Sequence, residues 1–96
     1  MNQKINAIKL DNKDNVVVAL SNLSAGELLF IQGEKKNIEL KENIPSGHKI
    51  AIHAIKKGEK IMKYGECMGM SLEDIPIGFH VHVNNVRGLN MEERSF

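Results

Sequence analysis

One stretch of this chain, residues 18–29, reads VALSNLSAGELL and aligns without a gap with residues 50–61, IAIHAIKKGEKI. The alignment places Gly26 over Gly58, and a partial third copy, DIPIGFHV at 74–81, repeats only the step from an apolar residue to glycine. One glycine at the same place in each copy indicates one backbone conformation used again, a turn with positive φ. The sequence therefore predicts a compact β structure with approximate internal symmetry.

Short apolar runs, broken by Gly, Pro, Asn and Ser, predict short strands rather than long helices. We expect strands near 4–10, 16–21, 27–32, 36–40, 48–54, 59–64 and 80–84. Turns are expected at 11–15, 33–35, 43–47 and 56–58, and a short helix at 24–27 or 71–75. The predicted fold class is mostly β, with at most one or two short helices.

The composition is that of one globular domain over residues 1–96, with a core at about 4–86 and a tail at 87–96. No apolar run approaches the roughly 20 residues of a membrane span, and the first residues lack the pattern of a signal peptide. A net charge of +1 with only 4% aromatic residues argues against nucleic-acid binding. We expect a cytoplasmic protein with no membrane or nucleic-acid partner. The tail suits a solvated end or a docking strand.

The segment GFHVHVNN, residues 78–85, contains two histidines two positions apart. In an extended strand, His80, His82 and Asn84 share one face, and the apolar residues that alternate with them share the other. Two imidazoles on one face could bind a divalent metal, orient a carboxylate, or act as general acid and base. A solvated or interface face is the alternative, because zinc sites use three or four protein ligands.

Two further side chains are candidates for a site. His48 begins an apolar strand face that continues with Ile50, where its imidazole either caps the strand end or takes part in chemistry. Alternation places Lys63 on the same side as Ile61, so its ammonium either reaches the rim or binds an anion in a cleft. Tyr64 follows directly, and the glycine after it would let backbone N–H groups approach a ligand.

Three motifs in a fixed order resemble one known family. They read IPSGHKIAI at 44–52, IKKGEKIMKYGECMG at 55–69 and DIPIGFHVHVNNV at 74–86. Over about residues 16–86 the chain is similar to the SAF domain that precedes the catalytic region of altronate and galactarate dehydratases. The resemblance implies a β-clip fold of the antifreeze-protein-like type. It also implies that the domain can be a separate small subunit, as in split sugar-acid dehydratases and sulfolactate sulfo-lyase.

The chemistry implied by this resemblance is β-elimination from a hydroxy acid or sugar acid, assisted by a divalent metal, with iron or manganese expected. The resemblance assigns six side chains to the site: His48, His80 and His82 to catalysis, and Lys63, Tyr64 and Asn84 to substrate binding. His80 and His82 are also possible metal ligands.

The resulting hypothesis is a small subunit of a hydro-lyase or sulfo-lyase that is inactive without a large catalytic subunit. The alternative is a non-catalytic SAF module that binds a carbohydrate or sugar acid or acts as an assembly adaptor. An isolated chain of this kind could also form a homo-oligomer.

Overall fold

The structure is a computed structural model that describes residues 4–34 and 37–88. Within these ranges the chain forms nine short strands. The strands are β1 Ala7–Ile8, β2 Val16–Ala19, β3 Leu28–Leu29, β4 Ile38–Glu39, β5 Lys49–Ala51, β6 Lys60–Lys63, β7 Glu66–Ser71, β8 His80–Val81 and β9 Val86–Gly88. They pair antiparallel in three sheets, in the orders β1-β2-β5-β8, β3-β4 and β6-β7-β9. These residues contain no helix, hence none that could cross a membrane. The mostly β fold class is confirmed.

Strand β5 is an inner strand of the four-stranded sheet, between β2 and β8, and is buried on both faces. Ile50 and Ala51 are neighbours in the strand, point to opposite faces, and each has no exposed surface. Ile50 packs in one apolar cluster with Leu29 and Ile44, whereas Ala51 packs in a second cluster with Ile61. The two faces of β5 therefore belong to two separate cores.

The glycine repeat has four copies, because residues 44–47 form a copy that the sequence alignment missed. Its glycines are Gly26, Gly47, Gly58 and Gly78, with φ of +92°, +83°, +86° and +90°. In every copy the N–H of the residue after glycine donates to the carbonyl oxygen three positions earlier, at 2.9–3.2 Å. This is the geometry of a type II turn, whose third residue needs positive φ. The predicted positive-φ turn is confirmed.

The four turns associate in two pairs. Leu23 forms an antiparallel bridge with Ile44 in the first pair, and Ile55 with Ile75 in the second. Asparagines add reciprocal hydrogen bonds in the first pair: the Ser46 N–H donates to Asn22 Oδ1 at 2.8 Å, and the Ala25 N–H donates to Asn43 Oδ1 at 2.9 Å. The internal symmetry predicted from the repeat is thus a symmetry between paired turns.

The turns are of two kinds, which differ in how the N–H of the first turn residue is satisfied. In the first and third turns, Glu27 and Glu59 accept a hydrogen bond from the N–H of the first residue of their own turn. The second and fourth turns begin with Pro45 and Pro76, which have no N–H to satisfy. Their last position needs no carboxylate, and in the second turn it is occupied by His48.

Several expected elements differ in the structure. The predicted helix at 24–27 is the first glycine turn, and residues 71–75 are not helical because Ser71 ends β7, where its N–H donates to the Glu59 carbonyl at 2.8 Å. Strands β7 and β9 were not predicted. The strand expected at 80–84 ends at Val81. Lys35 of the predicted turn at 33–35, and the tail beyond Gly88, lie outside the described residues.

Candidate functional site

The three candidate histidines lie side by side at the ends of β5 and β8. His48 directly precedes β5, His80 is the first residue of β8, and His82 directly follows β8. The antiparallel register sets Ile50 opposite His80, so the end of β5 that holds His48 meets the end of β8. The ring centroids of His48 and His80 are 5.1 Å apart, and those of His80 and His82 are 4.7 Å apart. The structure therefore brings these predicted side chains together in one row.

The first two rings of the row share a hydrogen bond. His48 Nδ1 lies 2.9 Å from His80 Nε2, so one of these nitrogens must be an unprotonated acceptor, and both rings cannot be charged at once. Burial lowers the pKa of His80 below its usual 6.5, and the charges of His82, His48 and Lys49 lower it further. Glu42, which accepts the His80 backbone N–H at 3.0 Å, raises this pKa, but by less than the other effects lower it. The lowered pKa therefore favours the neutral form of His80 at neutral pH.

The orientation of His82 is fixed by the turn that follows β8. Its Nδ1 accepts the Asn84 backbone N–H at 3.1 Å. A neutral imidazole that accepts at Nδ1 carries its proton on Nε2, so His82 presents an N–H donor at that nitrogen. The buried Asn85 anchors the turn, because its side chain accepts the His82 N–H at 2.8 Å and donates to the His80 carbonyl at 2.9 Å.

Asn84 does not share the strand face of the two histidines, as had been expected. Residues 83–85 form a turn, closed by the Asn85 N–H donating to the His82 carbonyl at 3.1 Å. Asn84 is exposed and contributes its backbone N–H to His82, whereas Val83, expected on the apolar face, is 88% exposed. The extended pattern fails here because the Asn85 side chain offers the backbone a local alternative to continued pairing.

Lys63 and Tyr64 lie at the hairpin between β6 and β7. Lys63 is half-buried, with its Nζ 5.1 Å from the centroid of the exposed Tyr64 ring. Tyr64 and Gly65 both have positive φ, and their N–H groups donate to the buried carboxylate of Asp14 at 3.0 and 2.8 Å. These two N–H groups are therefore already bound and are not open to a ligand. Asp14 was not predicted as part of this region.

Lys49 connects the hairpin with the histidines and was not predicted as a site residue. It is half-buried in β5, opposite Val81 of β8, and with His82 it lines a groove of about 340 Å³. Burial lowers the pKa of Lys49 below its usual value, and the charge of Lys63 lowers it further. Lys49 also acts on the pKa of His80. The sequence signal for it was a lysine within the strand expected at 48–54, but its burial depends on β8, which is distant in sequence.

The imidazoles do not by themselves form a metal centre. Within residues 4–34 and 37–88, no three His, Cys, Asp or Glu side chains are grouped to hold a metal ion. His80 Nε2 is engaged with His48, and the Nδ1 contact of His82 puts a proton on the nitrogen that a metal would need. This arrangement does not fit the expected His80 and His82 ligand pair, and the iron or manganese ion stays a prediction.

Short antiparallel strands joined by paired glycine turns, with a row of imidazoles beside the two proline turns, define a small β domain with one polar site. Such a domain can present side chains to a ligand or to a larger protein. The chain belongs to the altronate/galactarate dehydratase SAF domain family, whose family model matches residues 5–89. The family expected from the three motifs is confirmed.

Relatives of two lengths share this domain. Altronate dehydratase from Bacillus subtilis is 44% identical over 80 residues, which are 83% of this chain and 16% of that enzyme. Galactarate dehydratase (L-threo-forming) from Escherichia coli is 38% identical over 73 residues, 13% of its length. The alpha subunit of (2R)-sulfolactate sulfo-lyase from Chromohalobacter salexigens is 36% identical over 75 residues, 74% of this chain and 80% of that subunit. The chain thus spans a small part of the dehydratases and most of the sulfo-lyase subunit.

Proposed function

We propose that this chain is a subunit of a lyase of the sugar-acid dehydratase or sulfo-lyase type. In this proposal it supplies proton-transfer and substrate-binding residues to a β-elimination site that a large subunit completes. The observation that carries the proposal is the row of His48, His80 and His82 in a chain of this family. The sulfo-lyase relative is named as an alpha subunit and matches over 80% of its length, which supports a separate small subunit.

β-Elimination needs a base that removes the proton α to a carboxylate. The electron pair of that C–H bond forms the Cα–Cβ double bond, and the β-substituent leaves with its own bonding pair, as water after protonation or as sulfite. His80 suits the role of base, because its lowered pKa keeps it neutral near pH 7. In this role His80 carries its proton on Nε2 and donates it to Nδ1 of the exposed His48. His80 Nδ1 then accepts the substrate proton, while the Nε2 proton can pass to His48 and on to solvent.

The remaining predicted residues have binding roles in this proposal. His82 Nε2 donates to an oxygen of the substrate, and Lys63 and Tyr64 bind from the hairpin side. Asn84 acts through its backbone N–H, which holds His82 in the donating tautomer. A divalent ion, when bound, would stabilise the negative charge that develops on the carboxylate. We assign its ligands, and the acid that protonates a departing hydroxyl, to the large subunit.

Reconstitution tests the proposal. The chain is mixed with a large subunit of the family and ferrous or manganous ion, and elimination from altronate, galactarate and (2R)-sulfolactate is followed. His80→Gln should lower kcat about 100-fold or more, which is within the usual contribution of a general base. His53→Gln, an exposed histidine outside the row, is the matched control and should keep full activity.

Assembly is measured separately by light scattering after size-exclusion chromatography, so that lost activity is not confused with lost association. If the His80→Gln and His48→Gln chains assemble normally and turn over at the wild-type rate, the catalytic proposal is wrong. The chain would then be the non-catalytic SAF module, either a binding domain or an assembly adaptor.

A further inference from the structure

The groove beside the row of histidines has apolar walls. Ile61 of β6, Met68 of β7 and Val86 of β9 form them, and the groove volume is about 340 Å³. This volume lies at the lower end of the range typical of small-molecule sites. Ile61 is fully buried, whereas Met68 is exposed. The groove therefore connects the buried core with the surface, where a small molecule can reach it.

The two ionisable side chains that line this groove can both donate hydrogen bonds to an anion. Lys49 contributes an ammonium group and His82 an imidazole whose Nε2 carries the proton, and no carboxylate is among the lining residues. In the described part of the chain, Lys49 makes no ion pair and its ammonium no hydrogen bond; the two ion pairs found there involve Lys9 and Lys41. A cation that has lost water without gaining a partner carries an uncompensated desolvation cost. An anion in the groove would remove that cost.

We infer that Lys49 and His82 form the anion-binding position of the proposed site, which takes the carboxylate or sulfonate of a small hydroxy acid. This inference rests on the proposed function and names the ligand class of the same site. The apolar walls strengthen the ionic contact, because charges interact more strongly where water is excluded. The absence of a lining carboxylate disfavours cations, and an uncharged polyol cannot replace the ionic contact.

Lys63 reinforces this position from outside the groove. Its charge is felt at Lys49, yet it is not among the lining residues, and its ammonium lies over the Tyr64 ring. In this arrangement Lys63 raises the local positive potential without contacting the bound carboxylate or sulfonate, and it remains able to bind another part of the substrate from the hairpin side. Lys49 thus takes the direct role in anion binding that the sequence had indicated for Lys63, which acts at longer range and is more sensitive to salt.

An NMR titration of the full chain tests the inference without turnover. The isotopically labelled chain is titrated with (2R)-sulfolactate, with altronate, and with altritol, which keeps the hydroxyl groups of altronate but lacks its carboxylate. Both acids should shift the Lys49 and His82 side-chain signals, and altritol should bind at least about 10-fold more weakly. Lys49→Met, which keeps the apolar stem, should weaken both acids by about 10-fold or more, as expected for a hydrogen bond to a charged group. Lys49→Arg should retain most of the affinity.

Lys60→Met is the matched control, because Lys60 is an exposed lysine of the neighbouring strand β6 and does not line the groove. Its affinity for both acids should equal that of the wild type. The inference is overturned if Lys49→Met binds the acids like the wild type, if altritol binds as tightly as altronate, or if neither acid shifts the groove signals. His80→Gln turnover in the reconstituted enzyme is a separate readout. Loss of that turnover with unchanged acid binding by Lys49→Met would sink this inference and leave the proposed function standing.

Discussion

Replacement of Gly78 by alanine would test whether the fourth turn needs glycine for two separate reasons. Gly78 has φ of +90°, a region that residues with a Cβ rarely adopt. A Cβ at this position would also lie 2.5 Å from the carbonyl oxygen of Glu39, a backbone atom that cannot rotate away. Gly26 is its counterpart in the first turn, with φ of +92° and open space at the Cβ position. The two glycines therefore share the conformational demand and differ in the steric one.

The expected losses in the free energy of unfolding follow from these two terms. Alanine in the left-handed region costs about 1–2 kcal/mol, and both substitutions carry this cost. Gly78→Ala adds the displacement of Glu39, which as overpacking costs about 1–3 kcal/mol more. We therefore expect about 1–2 kcal/mol for Gly26→Ala and about 2–5 kcal/mol for Gly78→Ala. A domain of this size is stable by roughly 5–15 kcal/mol, so both variants should fold or nearly so.

Urea unfolding followed by far-UV circular dichroism is the suitable assay, since the chain contains no tryptophan. The midpoint of Gly78→Ala should lie about 1–3 M below that of Gly26→Ala at a slope of about 1 kcal/mol per M. Equal midpoints for the two variants would refute the steric part of the reasoning. A Gly26→Ala midpoint equal to that of the wild type would refute the conformational part.

Three further predictions concern the site and its support. Glu42→Gln should lower the pKa of His80 further, because Glu42 raises it, and an NMR titration of the His80 ring measures this directly; a rise in that pKa would contradict the assignment. Because the pKa of His80 is below 6.5, the folded chain binds fewer protons than the unfolded chain between the two pKa values. Stability should therefore fall as the pH drops through about 6.5 and level off below the folded pKa; urea midpoints from pH 8 to 5 should fall less in His80→Gln than in the wild type. Asp14→Asn turns an amide N–H₂ towards one of the N–H groups of Tyr64 and Gly65, and should cost about 1–3 kcal/mol in urea unfolding; an unchanged midpoint would show that the carboxylate charge is not needed there.

The turns could be predicted from the sequence because their requirement is local. A type II turn needs positive φ at its third position, and glycine meets that need at low cost, so Gly26 and Gly58 identified the repeat. The copies at Gly47 and Gly78 both lack the glutamate that marks Gly26 and Gly58, and the copy at Gly47 was missed although it repeats the same step from an apolar residue to glycine. The pairing of the turns could not be predicted, since Asn22 and Asn43 each act on a turn other than their own.

The candidate site was partly predictable for a similar reason. The two-residue spacing of His80 and His82 placed both near one strand end, and the structure adds His48 to the same row. The end of the strand at Val81 was not predictable from alternation, because side-chain hydrogen bonds of Asn85 decide it. Lys49 was missed because strand alternation says which way a side chain points and not which distant strands bury it.

The difference between glutamate turns and proline turns has a consequence for how domains of this family can diverge. Two of the four turns hold their first residue with their own carboxylate, so their last position is occupied by structural need. The two proline turns need no carboxylate there. In the second turn the position holds the exposed imidazole of His48, whereas in the fourth it holds Phe79, which packs against the second core. The second turn can thus accept new chemistry while the other three preserve the scaffold. A designer wishing to retarget this domain would substitute after Gly47 and leave Glu27, Glu59 and Phe79 untouched.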